Sequence, residues 1–556
     1  MADSDDGLNL VSAPSDLDLF GTHLALVEAV RRHGAQTHLP ALTGLGRTAG
    51  TSRAQRWGEL VDRYPPQLRT HDPAGRRIDE VEYHPAWHQL LENAVRAGLT
   101  AAPWEEQAGT TSEAAHVARA ASLVVWAQTE TGHLGVLSST YASVPALRTD
   151  DKLEATWLPR LASRTYESGL RLPADKVGCL AGLAVTERQG GSDLRGSTTV
   201  ARAEGGGPVE GGPTYRLTGQ KWFVSGPMND LFLVLAHAPG GLTLFAVPRV
   251  LETGRRNTWR LSRLKDKLGN RSSATAEVEL DGTWGVRLGD EGRGLRMLLG
   301  TTSAIRLDSV LVAAGVMRHA AVRALHHARH RQAFGSALVE KPLMQNVLAD
   351  LTLESEAATV LGLRLAAAVD AGETDLLRVG VPVAKYWLSK RVVSVTAEAL
   401  ECLGGNGYVE EHGLARVYRD APVLALWEGT GNVTAIDVLR TMSLQPRSME
   451  VLLGEVDRAR GADPRLDRAM DEVAGFLQAA SREARRDPAA VEAGARWMVE
   501  RLAVVLQASL LVRHAPGPVA AAFLATRVSG GGGVLLGTLP VGRRSTQAMI
   551  DRALPV

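Results

Sequence analysis

The sequence has very few cysteines: Cys179 and Cys402 are the only two in 556 residues, and they lie far apart. This excludes a disulfide framework and a cysteine-rich metal site. A reducing, cytoplasmic location agrees with such cysteine usage, and we expect one. The first residues, Met1 to Asp6, are acidic and lack the charged-then-apolar pattern of a secretory signal.

A strong charge of either sign is also missing. The formal net charge is +1 at pH 7, so composition alone gives no general attraction to nucleic acid or to an anionic membrane. Long apolar runs are scarce as well. The candidate run from Ala503 to Val512 stops at Arg513 and is too short to span a bilayer. We therefore expect no membrane partner.

The chain is too long for a single core, so several domains are expected. Residues 1 to about 20 are polar and contain Pro14, which predicts a mobile N-terminal arm or a partner-binding tail. Helical patterning follows from residue 22 to about 168, and it includes an alanine-rich helix from Ala114 to Ala127. Loops are predicted within it at Pro65-Pro66, Asp72-Pro73 and Pro85.

Near Gly178 the pattern changes: apolar and polar residues alternate with a period of two up to about residue 285, which predicts a β region. A tight connection is predicted at Pro239-Gly240-Gly241. The predicted short strands are Tyr215–Thr218, Trp222–Ser225, Leu231–Leu235, Leu242–Val247 and Ala274–Leu280.

Helical periodicity returns at about Gly292. One long helix is predicted after Pro342, and a second begins near Pro382 and ends at Gly404-Gly405. The apolar face of the first comprises Leu343, Val347, Leu351, Ala358, Leu361 and Leu365. The inward face of the second comprises Ala384, Leu388, Val392, Val395 and Ala399. A further segment of about 115 residues follows Arg440.

One stretch combines unusual residue types, Trp427-Glu428-Gly429-Thr430-Gly431-Asn432. It lies between the apolar run from Val423 to Leu426 and a helix-like pattern that starts at Val433. A carboxylate between an aromatic residue and a glycine, at the start of a helix, is well placed to lose water. Desolvation would raise the pKa of Glu428 and make it a competent base near neutral pH. A helix-capping glutamate is the alternative.

The stretch from Leu183 to Asp193, with Thr-Glu followed by Gly-Ser-Asp, resembles the signature of the acyl-CoA dehydrogenase family. Other marks of that family occur in the same order along the chain. They are Lys221-Trp-Phe-Val-Ser225, Lys267-Leu-Gly-Asn-Arg271, Asp290-Glu-Gly-Arg-Gly294, Arg331-Gln-Ala-Phe-Gly335, Leu403-Gly-Gly-Asn-Gly-Tyr408 and the stretch with Glu428. Seven ordered motifs make the resemblance strong, where any single one would be weak.

Four features resemble the AidB-like branch of the family, which is linked to the response to DNA alkylation. They are Gln189-Gly-Gly-Ser-Asp193, the block Arg260–Ser272, His84-Pro-Ala-Trp-His88 and Trp104-Glu-Glu. That branch carries an extra C-terminal segment, as this chain does. The implied fold class is α+β and multi-domain: an N-terminal helical domain, a central β-barrel, a C-terminal four-helix bundle and an appended, mainly helical domain. The domains would be the arm 1–20, then 21–177, 178–287, 288–440 and 441–556.

The resemblance implies bound FAD. Leu183 to Ser192 would line the flavin, with Thr186 and Ser192 as contacts and Gly191 leaving the backbone open. Phe223, Val224 and Ser225 resemble the segment whose aromatic ring packs on the flavin. From the residues alone, a glycine-rich turn and a core aromatic are the alternatives.

Other cofactor contacts follow from the same resemblance. Thr430 and Asn432, with Trp427, Gly429 and Gly431 beside them, resemble the part that holds the phosphate and ribose, where a helix start favours an anion.

Arg331 and Phe334 resemble the pair that reaches FAD bound mainly by a neighbouring subunit, so a homo-oligomer, a tetramer, is expected. A solvated helix end is the alternative for Arg331. The nearby histidines His326, His327 and His330 lack a carboxylate pattern, and no metal is predicted.

The implied reaction is α,β-dehydrogenation of an acyl-CoA thioester, with Glu428 as the α-proton base, hydride transfer to FAD and a separate electron acceptor. Trp427 and Arg306 would line the substrate pocket. A buried ion pair with Asp308 is the alternative for Arg306.

Two other functions stay open. One is a flavoprotein that binds double-stranded DNA through residues 441–556 and protects against alkylation, with weak dehydrogenase activity. That segment has 15 arginines, no lysine and 12 acidic residues, which is only mildly basic. Arg485-Arg486 and Arg543-Arg544 could form a basic stripe, and a solvated helical surface is the alternative. The other function is flavin-dependent oxidation of a small molecule that is not a thioester.

Overall fold

The computed structural model describes residues 9–104, 114–204 and 213–554. Glu105 and Glu106 of the Trp104-Glu-Glu motif lie outside the described residues, as does the start of the predicted arm. The described chain forms two compact units. Unit 1 draws on residues 1–52, 116–128 and 306–556, and unit 2 on residues 53–115 and 129–305. Each unit is thus built from segments that are distant in sequence.

The helices of the described residues are α1 (Leu24–Arg32), α2 (Leu39–Gly50), α3 (Ser52–Arg63), α4 (Pro85–Arg96), α5 (Ala115–Trp126), α6 (Leu134–Leu147), α7 (Asp151–Leu161), α8 (Gly294–His330), α9 (Pro342–Asp370), α10 (Thr374–Glu401), α11 (Leu414–Asp420), α12 (Gly431–Leu444), α13 (Pro446–Asp457), α14 (Pro464–Glu483), α15 (Pro488–Ala493), α16 (Ala495–His514), α17 (Gly517–Phe523) and α18 (Arg543–Ala553). The strands are β1 (Gln67–His71), β2 (Arg77–Glu82), β3 (Ala181–Ala184), β4 (Val200–Ala203), β5 (Thr214–Ser225), β6 (Leu231–Ala238), β7 (Gly241–Pro248), β8 (Arg260–Leu264), β9 (Thr275–Leu288), β10 (Gln332–Ala333) and β11 (Ser336–Ala337).

A closed β-barrel forms the centre of unit 2. Strand β6 pairs with β7, β7 with β9, β9 with β5, and β5 with β4, all antiparallel. The ring closes where β4 meets β6 in parallel at Val200 and His237. Strand β3 extends β6 in parallel, and β8 pairs with β9. The predicted central barrel is confirmed.

Strand β6 is apolar on both faces because both faces are covered. Its odd-numbered residues, such as Leu233, pack outside the barrel against α6 and α7, where Val144 and Trp157 are buried. Its even-numbered residues, such as Phe232, point into the barrel beside Leu217. This double burial explains why β6 reads as a continuous apolar run.

Unit 1 is built around α9 and α10, which are long and largely buried. Helix α9 packs on α1, α10, α16 and α18, and α10 packs on α12, α13 and α16. Helices after residue 440 are therefore part of the same packed bundle. Buried ion pairs join them to it: Arg527 binds Asp350 and Glu354, and Arg364 binds Glu455 at 2.9 Å.

Several sequence predictions need correction. Pro382 lies inside α10, which starts at Thr374; one missing N–H bond is tolerated because the helix is packed on several sides. Leu343 is 86% exposed, since it lies in the first turn of α9. Strand β5 is one continuous strand where two were predicted. Strand β9 continues past Leu280 to Leu288, and strand β8 was not predicted.

The hairpin of β1 and β2 lies in a region that was predicted to be helical with loops. The loop signal at Asp72-Pro73 is correct: the Asp72 carboxyl accepts the N–H groups of Ala74 and Arg76, each at 2.9 Å. The flanking strands are polar and partly exposed. Their sequence therefore lacks the apolar alternation that marks a strand.

The predicted arm is not free where it is described. The Asp16 N–H donates to the Gly50 carbonyl at 2.8 Å, and the Leu19 N–H donates to the Gly46 carbonyl at 3.2 Å. Both cysteines are buried, and neither forms a disulfide.

One helix among the described residues, α8 with 37 residues, is long and apolar enough to cross a bilayer by composition, and the sequence reading missed this. About two thirds (67%) of its most apolar window is buried inside the fold, as in the core helix of a bundle.

Candidate active site

The loop that carries Glu428 joins a short 3-10 turn, Ala421–Ala425, to the start of α12. Glu428 has a φ of 52° and Gly429 a φ of 104°, so two consecutive residues adopt the left-handed region and turn the chain into the helix. The Glu428 side chain is half-buried. The helix-capping position belongs to Thr430. The geometry therefore does not support the reading of Glu428 as a helix cap.

Two cations from different helices hold the backbone of this loop. Arg306 of α8 donates from Nε to the Glu428 carbonyl at 2.9 Å. Lys385 of α10 donates from Nζ to the Gly429 carbonyl. Arg306 also binds Asp437 of α12, with 2.5 Å between Nη1 and Oδ2. The Glu428 loop, α8, α10 and α12 are thus joined by one polar network.

The alternative reading of Arg306, an ion pair with Asp308, is wrong. Asp308 binds Arg119 instead, with both oxygens 2.7 Å from the two terminal nitrogens of the guanidinium. Arg306 pairs with Asp437, whose second oxygen accepts from Arg378 at 2.8 Å. Arg306 was therefore correctly placed near Glu428, but its carboxylate partner was not foreseen.

The network perturbs two ionisable groups. Burial lowers the pKa of Lys385 to about 8; the charge of Arg306 acts in the same direction, while Glu428 opposes it. Burial alone would raise the pKa of Asp437. The hydrogen bond from Arg378 and the charge of Arg306 outweigh burial, and the pKa of Asp437 lies below its usual value.

Sequence reasoning missed Lys385 and Asp437. A signal for Lys385 was present, because it interrupts the buried face of α10 directly after Ala384. A lysine that is 1% exposed needs a polar partner. Asp437 lies on α12 beside the predicted helix pattern and gave no comparable signal.

Two further cations lie at the start of α12, next to the exposed Thr430 and Asn432. A β-carbon on Gly431 would lie 3.1 Å from Lys390 Nζ and 3.2 Å from Arg496 Nη2. Within the part of the chain that the structure describes, neither cation forms an ion pair with an acid. Positive side chains at a helix start suit a phosphate. The residues present fit the phosphate part of a nucleotide cofactor.

In unit 2, the predicted flavin segment, residues 183–192, starts in β3 and continues into the loop after it. Leu183 and Thr186 are half-buried, and Gly191 and Ser192 are exposed. A β-carbon on Gly191 would lie 2.9 Å from the Thr186 hydroxyl oxygen, so only glycine leaves that hydroxyl open. The structure therefore brings Thr186 and Gly191 together at a surface that suits the polar edge of a flavin.

A buried ion pair supports this segment. The Glu187 carboxylate accepts from Lys221 Nζ at 2.8 Å, and both side chains are fully buried. Glu187 also accepts from Thr198 and Thr199, each within 3.2 Å. Burial would raise the pKa of Glu187, but the charge of Lys221 and these hydrogen bonds lower it to about 2. Both residues stand inside motifs that were recognised, yet no role was predicted for them.

Strand β5 places the three predicted flavin residues on different sides. Phe223 is 55% exposed, an unusual position for a large aromatic ring on a strand. Ser225 is half-buried and pairs with Thr275 of β9. The Val224 side chain points into the barrel core, so only its backbone atoms could reach a cofactor. The exposed ring of Phe223 fits a partner with a flat, apolar face.

Arg331 and Phe334 form a separate group at the C-terminal end of α8. Phe334 lies at the tip of the β10–β11 hairpin with a φ of 53°, and it is 92% exposed. Arg331 follows Arg306 by 25 residues, which is roughly 37 Å along α8. Among the described residues, no group of three or more His, Cys, Asp or Glu side chains could hold a metal ion.

Comparison with known proteins agrees with this architecture. The model described as "Adaptive response protein AidB N-terminal domain" matches residues 9–168. "Acyl-CoA dehydrogenase, middle domain" matches residues 182–283, and "Acyl-CoA dehydrogenase, C-terminal domain" matches residues 292–443. The chain is 39% identical to AidB of Escherichia coli (strain K12) over 520 residues, which cover 92% of each protein.

Two solved structures share the fold. Caenorhabditis elegans ACDH-11 in complex with C11-CoA superposes with a TM-score of 0.81 at 24% identity, over 98% of this chain and 92% of that one. An acyl-CoA dehydrogenase of Bacillus anthracis complexed with FAD has a TM-score of 0.65 at 18% identity, over 98% of this chain and 86% of that one.

The barrel and helical bundle, together with these matches, define an FAD-dependent oxidoreductase. The chain belongs to the acyl-CoA dehydrogenase family, and its N-terminal region makes it an AidB-like member.

Proposed function

We propose that this chain catalyses α,β-dehydrogenation of an acyl-CoA thioester, with Glu428 as the base that removes the α-proton. The observation that carries the proposal is the geometry of the Glu428 loop. A half-buried carboxylate stands on a turn whose two backbone carbonyls are held by Arg306 and Lys385. A base needs a fixed position relative to the proton that it accepts.

The residues of the chain would divide the task as follows. Glu428 accepts the α-proton, and its backbone N–H polarises the thioester carbonyl so that this proton becomes acidic enough to leave. Trp427 and Arg306 border the substrate. Bound FAD supplies the acceptor for the β-hydrogen, which leaves with its electron pair.

Two groups of residues would hold the cofactor. Thr186, Gly191 and Ser192 offer hydrogen bonds to the flavin, and Phe223 offers a ring for stacking. Leu183, Val224 and Ser225 complete that segment. Gly429, Thr430, Gly431 and Asn432 would contact the phosphate and ribose, and Lys390 and Arg496 lie beside Gly431.

Arg331 and Phe334 would reach the FAD of a neighbouring copy, so the proposed assembly is a homo-oligomer, a tetramer. The distance of roughly 37 Å between Arg306 and Arg331 along α8 supports this. Two sites so far apart on one helix are more simply explained by two cofactors than by one.

The test is anaerobic mixing of the FAD-loaded protein with a panel of acyl-CoA thioesters of different chain length. We expect loss of the oxidised flavin absorbance with at least one of them. Glu428→Gln keeps the shape of the side chain but removes the base. It should slow this reduction by roughly 10²–10⁴-fold and leave FAD bound.

Reduction that persists in the Glu428→Gln protein would exclude Glu428 as the base. If no thioester reduces the flavin but a nitro- or amino-compound does, the reaction is flavin-dependent oxidation of another small molecule. The electron acceptor is then identified by the rate of reoxidation.

A second candidate function, binding of double-stranded DNA through residues 441–556, is favoured by one observation. Seven arginines of that segment are exposed and form no ion pair with the acidic side chains that the structure describes: Arg468, Arg482, Arg485, Arg486, Arg496, Arg543 and Arg544. Deletion of the segment would expose Asp350 and Glu354, so it is a poor test.

The better test replaces Arg485, Arg486, Arg543 and Arg544 by alanine together and measures retardation of duplex DNA at several salt concentrations. Weaker binding with a smaller salt dependence would support this function. Unchanged binding, or no binding by the wild type at low salt, would contradict it.

A further inference from the structure

Two residues of the N-terminal arm contact the region that carries Arg331 and Phe334: Asn9 bonds the β10–β11 hairpin and Ser12 meets the end of α8. Asn9 Nδ2 donates to the Gln332 carbonyl at 2.8 Å, and Asn9 Oδ1 accepts the Gln332 N–H at 2.9 Å. The Asn9 carbonyl accepts from Arg331 Nη1. The Ser12 carbonyl lies 3.2 Å from His326 Nε2, one turn before the end of α8.

The hairpin needs such support. Strands β10 and β11 have two residues each and pair at only two positions. A two-stranded hairpin is marginally stable on its own. The Asn9 amide bonds both backbone groups of Gln332, as a third strand would, and so covers an otherwise open edge. Asn9 has a φ of 51°, a conformation that asparagine tolerates better than most residues.

Arg331 keeps most of its hydrogen-bonding capacity in this arrangement. A guanidinium group has five N–H donors, and the described contacts use one of them, Nη1, on the Asn9 carbonyl. One fixed contact restricts the side chain, and the remaining donors stay available for a ligand. The arm therefore reduces the conformational freedom that Arg331 would otherwise lose on binding.

We infer that Asn9 is a positioning residue for the cofactor: it holds the β10–β11 hairpin and orients Arg331 toward the FAD of a neighbouring copy. This inference rests on the proposed role of Arg331 in cofactor binding. It assigns a function to an arm that the sequence predicted to be mobile. It also predicts that the arm contributes to FAD affinity and not to the chemical step.

The experiment measures the Kd of FAD by titration of the full-length apoprotein and follows flavin fluorescence. Asn9→Gly removes the amide but permits the same left-handed backbone. We expect it to raise the Kd about tenfold, because the binding-competent hairpin becomes a minor state. Asp16→Gly is the matched control. Asp16 is exposed, also has a positive φ of 59° and lies in the same arm, so the Kd should stay at the wild-type value.

A double-variant cycle separates positioning from general stability. If Asn9 acts through Arg331, then Asn9→Gly should weaken FAD binding much less in an Arg331→Gln protein than in the wild type. An unchanged Kd in Asn9→Gly would overturn the inference. An equal loss in both backgrounds would overturn it too, because the arm would then act on the fold and not on Arg331.

Other results would contradict the proposed function and not only the inference about Asn9. Wild-type apoprotein that takes up no FAD would contradict the cofactor assignment itself. An unchanged Kd in Arg331→Gln would contradict the role of Arg331, and the inference about Asn9 with it.

Discussion

Lys385 donates a hydrogen bond from a buried ammonium group to the carbonyl of Gly429, the residue that follows the candidate base. Arg306 donates to the preceding carbonyl, that of Glu428, at 2.9 Å. The C=O of a trans peptide points opposite to the N–H of the next residue. Fixing both carbonyls therefore also fixes the N–H groups of Gly429 and Thr430. The two cations therefore determine the directions of the N–H groups that this turn can offer to a ligand.

The first prediction concerns the charge of Lys385. Its pKa is about 8 in the folded protein against 10.5 as the ordinary value. Both states are protonated below pH 8, so the cost of the buried charge is constant there. Above pH 8 the folded state releases its proton first, and stability rises with pH until the unfolded chain also titrates. Lys385→Met lacks this gain.

The free energy of unfolding of the wild type should therefore rise relative to Lys385→Met by about 2 kcal/mol between pH 7 and pH 9.5. Urea denaturation at the two pH values measures this. Lys152→Met, which changes an exposed lysine, is the control and should show no comparable difference. A constant gap for Lys385→Met would mean that the ammonium titrates in the folded protein as it does in water.

The second prediction compares two arginines: Arg306, which contacts the Glu428 loop, and Arg378, whose described partner is Asp437. Arg306 contacts both Glu428 and Asp437, whereas Arg378 contacts Asp437. Arg306→Gln should slow flavin reduction by about 10–100-fold with FAD retained, since misplacement of a reacting group by about 1 Å has effects of this size. Arg378→Gln should change the rate by less than about threefold, because the hydrogen bond to the loop survives.

Stopped-flow reduction by an active thioester measures both rates, and the melting temperature of each variant shows whether the fold is intact. Arg306→Lys should not restore the rate, because a lysine lacks the planar group that reaches two acceptors at once. Equal losses in Arg306→Gln and Arg378→Gln would show that Asp437 matters for the bundle as a whole and not for the loop.

Local pattern was sufficient where a segment has a continuous apolar run or a strong terminal signal. Pro342 marks the start of α9, and the apolar run Leu231–Leu235 marks β6. It failed where packing overrides local preference. Pro382 sits inside α10 because its neighbours bury the helix on several sides, and the polar strand β1 forms because β2 pairs with it. Such effects depend on residues that are distant in sequence.

The candidate site shows the same division. Motifs located Glu428 and Arg306, but the contacts between them join residues 122 positions apart. The alternative partner of Arg306, Asp308, could have been rejected on physical grounds. Residues two apart on a helix do not face each other. Asp437 could not have been chosen in its place, because it lies 131 positions from Arg306 and only the folded chain brings the two side chains together.

The third prediction concerns the ion pair beneath the flavin segment. Glu187→Gln would leave the charge of Lys221 buried without its carboxylate, and both side chains are fully buried. We expect a loss of about 3–5 kcal/mol in the free energy of unfolding, measured by urea denaturation, together with weaker FAD binding. Glu204→Gln, which removes an exposed partner of Arg216, should cost less than about 1 kcal/mol.

The dependence of stability on pH in the acid range gives an independent check on Glu187. Its pKa of about 2 lies below the ordinary value of 4.5, so its contribution to stability is present above about pH 4.5 and is lost as the pH falls through about 2. Glu187→Gln should lack that part of the acid dependence. A variant with wild-type stability at pH 7 would show that the other acceptors of Lys221, such as the Leu235 carbonyl at 2.6 Å, are sufficient for its buried charge.

The last prediction concerns Gly429. Its φ of 104° lies outside the region that other residues adopt readily, and a β-carbon there would lie 2.9 Å from Val433 Cγ1. Gly429→Ala must therefore move the turn or strain it, at a cost of about 1–3 kcal/mol. Because the turn positions Glu428, the rate of flavin reduction should fall at least about tenfold.

Gly454→Ala is the matched control, since a β-carbon there meets nothing within 4 Å and the residue lies inside α13. It should raise stability by about 0.5–1 kcal/mol and leave the rate unchanged. The two alanine variants differ in where they act, so thermal melting and single-turnover reduction can be compared directly. A Gly429→Ala protein that melts and reacts like the wild type would mean that Arg306 and Lys385 do not fix the turn, and the geometric basis for Glu428 as the base would be lost.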